Sequence, residues 1–292
     1  MRKTSVLRVL AVVPLIWLMA VPAAAQAKFM NNKVKGSYAS VNGLKMYYEI
    51  YGPTKGTPLV LLHGGGSTIE TTFGLILPLL AKNRRVMAFE QQGHGHTADI
   101  PDRHFSFEQS ANDAAALLAF LKIDRADFFG FSNGGHIAVQ VAIKHPGLVR
   151  KLIVASAPLK RDGFPPEFWE GFKDATLNNM PAELREAYLK TAPHPEQLET
   201  FFDKSVKRMV EFKDFRSEDI RAIKAETLII FGDADVMRPE HGVGMFRLFP
   251  HARLAVIPGG HGTYLGAIEA RKKGSELPNL TVSMVEEFLD TK

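Results

Sequence analysis

Phe128-Phe129-Gly130-Phe131-Ser132-Asn133-Gly134-Gly135-His136-Ile137 joins a short apolar run to a glycine-flanked serine and then to a stretch of helical composition. The pattern G-x-S-x-G between a strand and a helix predicts a strained turn that projects Ser132 from the strand end. Glycines at 130 and 134 remove side chains that would collide where backbone segments crowd together. The helix that follows directs its first amides toward the serine. Without flanking strand and helix the string would read as a plain turn, because glycine and serine are common loop residues. With them, Ser132 reads as a nucleophile.

Upstream, residues 37–51 alternate around Asn42-Gly43, a strong hairpin signal. Short apolar runs follow at Leu59-Leu62, Val86-Phe89, Ala126-Phe129, Leu152-Ala155, Thr227-Phe231 and Leu254-Ile257. Runs apolar on both faces suit buried parallel strands, and the segments between them have helical period or length. The clearest helix is Phe107 to Leu121, with Ser106 and Gln109 at capping-box spacing. Between Pro158 and Arg216 the strand-helix rhythm stops. Helical stretches rich in Phe164, Phe168, Trp169, Phe172, Tyr188, Phe201, Phe202, Phe212 and Phe215 replace it, which predicts a helical insert within one α/β domain. These aromatics suit either a wall for an apolar substrate group or a small core of the insert's own.

The 292 residues are 46% hydrophobic and 23% charged, an ordinary globular balance that argues against disorder and coiled coil. With no cysteine, disulfides, thiol nucleophiles and cysteine-ligated zinc are excluded. Arg2, Lys3 and Arg8 precede an apolar stretch from Val9 to Val21 and the small residues Ala23-Ala24-Ala25. That is the form of a secretory signal peptide over 1–25, cleaved after Ala25 or Ala27. The stretch is short for a membrane span of about 20 residues, and Pro14 and Pro22 interrupt it. The expected product is secreted or periplasmic, with no stable membrane insertion. Setting aside the three basic residues of this segment lowers the formal charge from +5 to +2, so no nucleic-acid surface is expected. Lys204, Lys207 and Arg208 stand among Glu199, Asp203 and Glu211 and read as a mixed, solvated helix face.

Leu59 to Leu62 runs into His63-Gly64-Gly65-Gly66, a glycine-rich loop able to offer an unobstructed backbone N–H to a developing oxyanion. Gly65 is the expected donor, and the N–H of Asn133, next to the nucleophile, the second. His63 reads as a hydrogen-bonding residue of the loop. His261 follows the last strand in Pro258-Gly259-Gly260-His261-Gly262, free enough to bring its ring over Ser132 as base. His136, His145, His194, His241 and His251 read as surface or helix-end residues. For an acid, Asp233 and Asp235 both follow the strand ending at Gly232, and Asp233 suits a turn role. His94-Gly95-His96 with Asp99 invites a metal site, but the spacing does not match H-x-H-x-D-H.

Hairpin, His63-Gly64 loop, Ser132 turn, late acid and final histidine come in the order of the α/β-hydrolase family, which the chain resembles over nearly all of its length after the leader. The resemblance implies an α/β fold with a mostly parallel eight-stranded sheet and a helical cap inserted after the sixth strand. Core segments at 26–157 and 217–292 would then flank a cap at 158–216. It also implies no cofactor and a Ser–Asp–His triad. Gly232-Asp233-Ala234-Asp235 resembles the family's G-D-x-D, whose second carboxylate is the usual triad member, so Ser132, Asp235 and His261 are the expected catalytic set. Two departures stand out. Glu90-Gln91-Gln92 replaces the Asp and Arg of many relatives, and Asn133 stands where Met or Gln is common. The alternative acid position, after the sixth strand, is Ala155-Ser156-Ala157-Pro158 and offers no carboxylate. The expected activity is hydrolysis of a carboxylic ester, or a similar acyl bond, of an uncharged small molecule through an acyl-enzyme. A lactonase, an amidase, a C–C hydrolase or a cofactor-free perhydrolase would use the same triad, and a non-catalytic binding protein would keep the fold alone.

Overall fold

The computed structural model describes residues 36–291; the expected signal peptide and both of its cleavage positions lie outside the described residues. Strand β1 (Ser37–Val41) turns at Asn42-Gly43 into β2 (Leu44–Tyr51). Both turn residues have positive φ, 49° and 81°, as a type I′ hairpin requires. The apolar runs form β3 (Leu59–Leu62), β4 (Val86–Phe89), β5 (Ala126–Phe131), β6 (Val149–Ala155), β7 (Glu226–Gly232) and β8 (Ala252–Ile257). All eight join one sheet in the order β1-β2-β4-β3-β5-β6-β7-β8. Only β1–β2 and β2–β4 pair antiparallel; the other five pairs are parallel.

Helices α1 (Ile69–Phe73), α2 (Leu77–Leu80), α3 (Phe107–Phe120) and α4 (Asn133–Lys144) alternate with β3 to β6. After β6 come α5 (Pro166–Lys173), α6 (Ala182–Thr191), α7 (Leu198–Val210) and α8 (Ser217–Arg221), with no strand among them. The sheet then resumes, and α9 (Pro239–Leu248) and α10 (Leu277–Asp290) complete the fold. Strands β3, β4 and β5 are buried along their whole length, because α3, α4 and α9 cover one face and α1, α2 and α10 the other. That two-sided cover explains why these strands lack alternation. The Ser106 hydroxyl accepts from the Gln109 N–H at 3.0 Å. The reciprocal half of the expected capping box is absent: Gln109 Nε2 donates instead to Asp113, at 2.9 Å.

The chain passes from β3 outward to β4, then returns to place β5 on the other side of β3. Ligands of such sheets bind beyond the strand ends where the order reverses, and here those ends carry His63 to Gly66 and Ser132. The helices after β6 build a small apolar cluster of their own from Met180, Leu184, Tyr188, Leu198 and Phe201, closed by Phe105.

Helix α7 corrects the expectation of a solvated charged face. Lys207 and Glu211 do form an exposed i,i+4 pair. Lys204 and Arg208, also four apart, lie on the inner side. Lys204 Nζ reaches Asp99 Oδ2 at 2.5 Å and the carbonyls of Ile100 and Pro101, and Arg208 is 4% exposed. No helix among the described residues is long and apolar enough to cross a membrane.

Candidate active site

Ser132 stands between β5 and α4 with φ 53° and ψ −120°, a conformation that L-residues avoid. The crowding that imposes it is visible at Gly134, where a Cβ would stand 2.0 Å from the Leu62 carbonyl oxygen. The Ser132 N–H donates to the Ala155 carbonyl at 2.8 Å, which ties the turn to β6. Asn133 is the first residue of α4, one of the positions whose amide has no intrahelical acceptor.

His261 Nδ1 lies 2.7 Å from Asp235 Oδ1. That bond places the proton on Nδ1 and leaves the Nε2 lone pair free. The ring packs on Phe131, centroid to centroid 4.7 Å. The Asp235 carboxylate is fully buried. Burial alone would raise its pKa, but the hydrogen bond and charge of His261, the Ser156 hydroxyl and the Gly232 amide outweigh that and hold it below the usual range. Asp233 turns the other way and accepts from the Gly259 N–H at 2.8 Å, fastening the loop after β7 to the loop after β8.

Sequence reasoning passed over Ser156. It is not a carboxylate, yet its hydroxyl donates to Asp235 Oδ2 and lies 2.7 Å from the Tyr264 hydroxyl, which reaches the Ile230 carbonyl at 3.3 Å. Ser156 has a φ of 51°. The position after β6 thus holds a hydroxyl that orients the Asp235 carboxylate after β7.

Ser132, Asn133, Gly65 and His261 line one cavity of about 470 Å³. Its outer wall comes from the segment between β6 and β7, including Phe168, Phe172, Met180 and Phe202. Trp169 and Phe212 stack instead on each other, at 5.9 Å. The aromatics therefore divide between wall and core. The remaining expected site residue, Gly65, has the Asn133 side chain against it: a Cβ there would stand 2.2 Å from Asn133 Nδ2.

His63 is buried in the loop, its Nδ1 2.8 Å from the Gly64 carbonyl and its Nε2 accepting from the Gln91 N–H at 3.2 Å. Burial lowers its pKa to about 4. His136 does lie at a helix end, in the first turn of α4, but the expectation of a surface position fails. It is 2% exposed, because α4 runs beneath the segment after β6 and is enclosed on its first turn. Its Nε2 donates to the Pro158 carbonyl at 2.8 Å, its ring lies 4.8 Å from Phe107 and 5.1 Å from Phe212, and burial lowers its pKa to about 4. His94 and His96 have separate partners, the Gln92 carbonyl and Glu90. Among the described residues no group of three or more His, Asp or Glu could hold a metal.

The sequence profile of the alpha/beta hydrolase fold matches residues 57–211. The chain belongs to the α/β-hydrolase family. It is 32% identical over 205 residues to the 2-hydroxymuconate semialdehyde hydrolase of Pseudomonas sp. (strain CF600), covering 63% of this chain and 72% of that one. It is 28% identical over 256 residues to the human serine hydrolase BPHL, covering 82% and 84%. Among solved structures, the meta-cleavage product hydrolase of Pseudomonas fluorescens IP01 superposes with a TM-score of 0.71 at 22% identity, over 88% of this hydrolase and 97% of that chain. The eight-stranded, mostly parallel sheet is the one that the family resemblance implied.

Proposed function

We propose that this hydrolase cleaves carboxylic esters, or similar acyl bonds, of uncharged small molecules through a serine acyl-enzyme. The observation that carries the reading is the 2.7 Å His261–Asp235 pair opening into the same cavity as Ser132. His261 Nε2 takes the proton of Ser132 Oγ as the oxygen attacks the carbonyl carbon, and Asp235 stabilises the resulting imidazolium. The N–H groups of Gly65 and Asn133 hold the oxyanion. Collapse of this intermediate expels the alcohol, which takes the proton from His261 and leaves the acyl group on Ser132. Water, deprotonated by His261, then attacks the ester carbon; collapse of this second intermediate breaks the bond to Ser132, releases the acid and returns the proton from His261 to Ser132 Oγ. The aromatic wall of the cavity suits an apolar acyl group.

Ser132→Ala should abolish both labelling by a fluorophosphonate probe and turnover of p-nitrophenyl esters, while the fold persists by circular dichroism. Appreciable ester hydrolysis by the folded variant would place the chemistry elsewhere. A second reading, hydrolysis of a C–C bond next to a carbonyl, is supported by the 32% identity to 2-hydroxymuconate semialdehyde hydrolase. A screen of vinylogous diketones beside graded p-nitrophenyl esters separates the two by kcat/KM. Export rests on the leader read from Arg2 to Ala25, and N-terminal sequencing of the mature product tests it, with an intact Met1 counting against it.

A further inference from the structure

Arg208 has no ion-pair partner among the described residues, although it is 4% exposed. Its guanidinium makes one side-chain hydrogen bond, from Nη1 to Gln91 Oε1 at 3.3 Å, while Nε and Nη2 have no partner. It lies over the rings of Phe105 and Phe107, at 5.6 and 5.3 Å from their centroids. Burial lowers its pKa only to about 10, so it remains a cation at neutral pH. The histidines near it, His63, His94 and His136, are all shifted down by burial, with Arg208 adding to the effect. They supply no negative charge. Enclosing an unpaired cation is destabilising, and an apolar side chain of similar volume would fill the same place without that cost. Unpartnered buried groups of this kind call for a functional explanation.

The position of the charge supplies one. A Cβ on Gly65 would stand 3.6 Å from Arg208 Nη2 and 2.2 Å from Asn133 Nδ2. The guanidinium therefore lies beside Gly65, one of the two residues read above as oxyanion donors, and the side chain of the other, Asn133, packs on the same glycine. It also braces the Gly65 loop through Gln91, whose Nε2 donates to the His63 carbonyl at 2.9 Å and whose N–H donates to His63 Nε2. Arg208 does not line the cavity that holds Ser132 and His261. It lines instead a separate cavity with Phe105, Phe107 and Phe212.

We propose that Arg208 is a positioning residue for the oxyanion: acting through the Gly65 loop and Asn133 rather than by touching the substrate, its uncompensated charge favours the negative oxygen of the tetrahedral intermediate. The inference rests on the acyl-enzyme reading above. A fixed charge in a site of low polarity needs no reorganisation when the oxyanion forms, and a neutral ground-state carbonyl gains little from it. The effect belongs in kcat, not in KM. Because Arg208 rides on α7, the segment between β6 and β7 then contributes to the chemistry as well as to the cavity wall.

The test compares wild type, Arg208→Met and Arg208→Lys on a neutral p-nitrophenyl ester, with circular dichroism and melting curves for each. The readouts are kcat, KM and the inhibition constant of a neutral alkyl boronic acid, which becomes a tetrahedral anion on the serine. In Arg208→Met, kcat should fall on the order of 10–100-fold with KM nearly unchanged, and boronate binding should weaken by a similar factor. Arg208→Lys, which keeps the charge, should recover much of both. Should Arg208→Met not fold, Arg208→Gln replaces it. A folded neutral variant with wild-type kcat overturns the proposal, as does a lower kcat with unchanged boronate affinity. A defect confined to KM for carboxylate-bearing esters also overturns it and assigns the guanidinium to a substrate anion. Fluorophosphonate labelling of Ser132 in the wild type keeps the two readings apart: an unlabelled, inactive wild type defeats the acyl-enzyme reading, whereas a labelled one with indifferent Arg208 variants defeats this inference alone.

Discussion

Among the described residues two histidines hydrogen-bond a carboxylate through Nδ1: His261 with Asp235 at 2.7 Å and His96 with Glu90 at 2.9 Å. Both acids are buried. Glu90 also accepts from the His96 N–H at 2.6 Å and the Ile69 N–H at 3.4 Å, and the His96 ring stacks on Tyr47, centroids 4.3 Å apart. That pair stitches the loop after β4 to α1. Asp235 instead gathers Ser156 and Gly232 around its second oxygen, and His261 shares the cavity of Ser132. A short imidazole–carboxylate contact is common to both, so distance alone does not mark a catalytic pair. What decides is where the other ring nitrogen opens.

The sharpest way to break this contrast is to neutralise each acid in turn. Asp235→Asn should lower kcat by about 10⁴ in a protein that remains folded, because the imidazole loses its tautomer and its support. Glu90→Gln should keep turnover within a few-fold and cost about 1–3 kcal/mol in urea unfolding, the expense of leaving buried donors poorly matched. Comparable losses of activity from both variants would erase the distinction.

The two pairs also separate in pH. The hydrogen bond that His96 donates to Glu90 raises the His96 pKa, against the effect of burial. A raised folded pKa gives stability that is present below the unfolded value and lost as pH rises through the folded one. Asp235 is lowered, so its contribution is present above the unfolded carboxylate value and lost in acid. His63 and His136, lowered to about 4, add a loss that begins as pH falls below their unfolded value of about 6.5 and continues to about 4. Melting temperatures between pH 4 and 9 should therefore drop on the acid side in wild type and Glu90→Gln alike. Only the decline toward alkaline pH should flatten in the variant.

Ser156→Ala sharpens the comparison at the His261–Asp235 pair. Loss of one hydroxyl donor to Asp235 should reduce kcat on the order of tenfold, the scale of a hydrogen bond to a charged group, while KM stays put. Unchanged kcat would show that Gly232 alone suffices to orient the carboxylate. The smallest expected effect is that of Asp233→Asn, about 1 kcal/mol of stability with turnover retained. A collapse of turnover there would reverse the roles of the two aspartates.

The sheet was legible because each buried strand is a run of apolar residues between punctuating loops, and the hairpin because Asn42-Gly43 favours positive φ. Strand β6 begins earlier than its apolar run. Arg150 and Lys151 are polar residues within a strand, and only tertiary structure gives them partners, Asp127 for one and the Phe288 and Thr291 carbonyls for the other. Ser132, His261 and the aspartates announced themselves through local glycine-rich context. Ser156, His136 and Arg208 did not, since their partners lie 79, 22 and 117 positions away in the chain. A mixed-charge stretch such as Lys204 to Glu211 looks the same in one dimension whether it faces water or an apolar interior.

Ser132 and Ser156, at the ends of neighbouring strands β5 and β6, both hold φ near 50°, where glycine would be at ease and serine is strained by roughly 1–2 kcal/mol. Replacement of either by glycine would relax the backbone and remove the hydroxyl at the same step. Selection for thermal endurance alone would thus wear the site away, and the two serines persist only where what their side chains do is itself under selection.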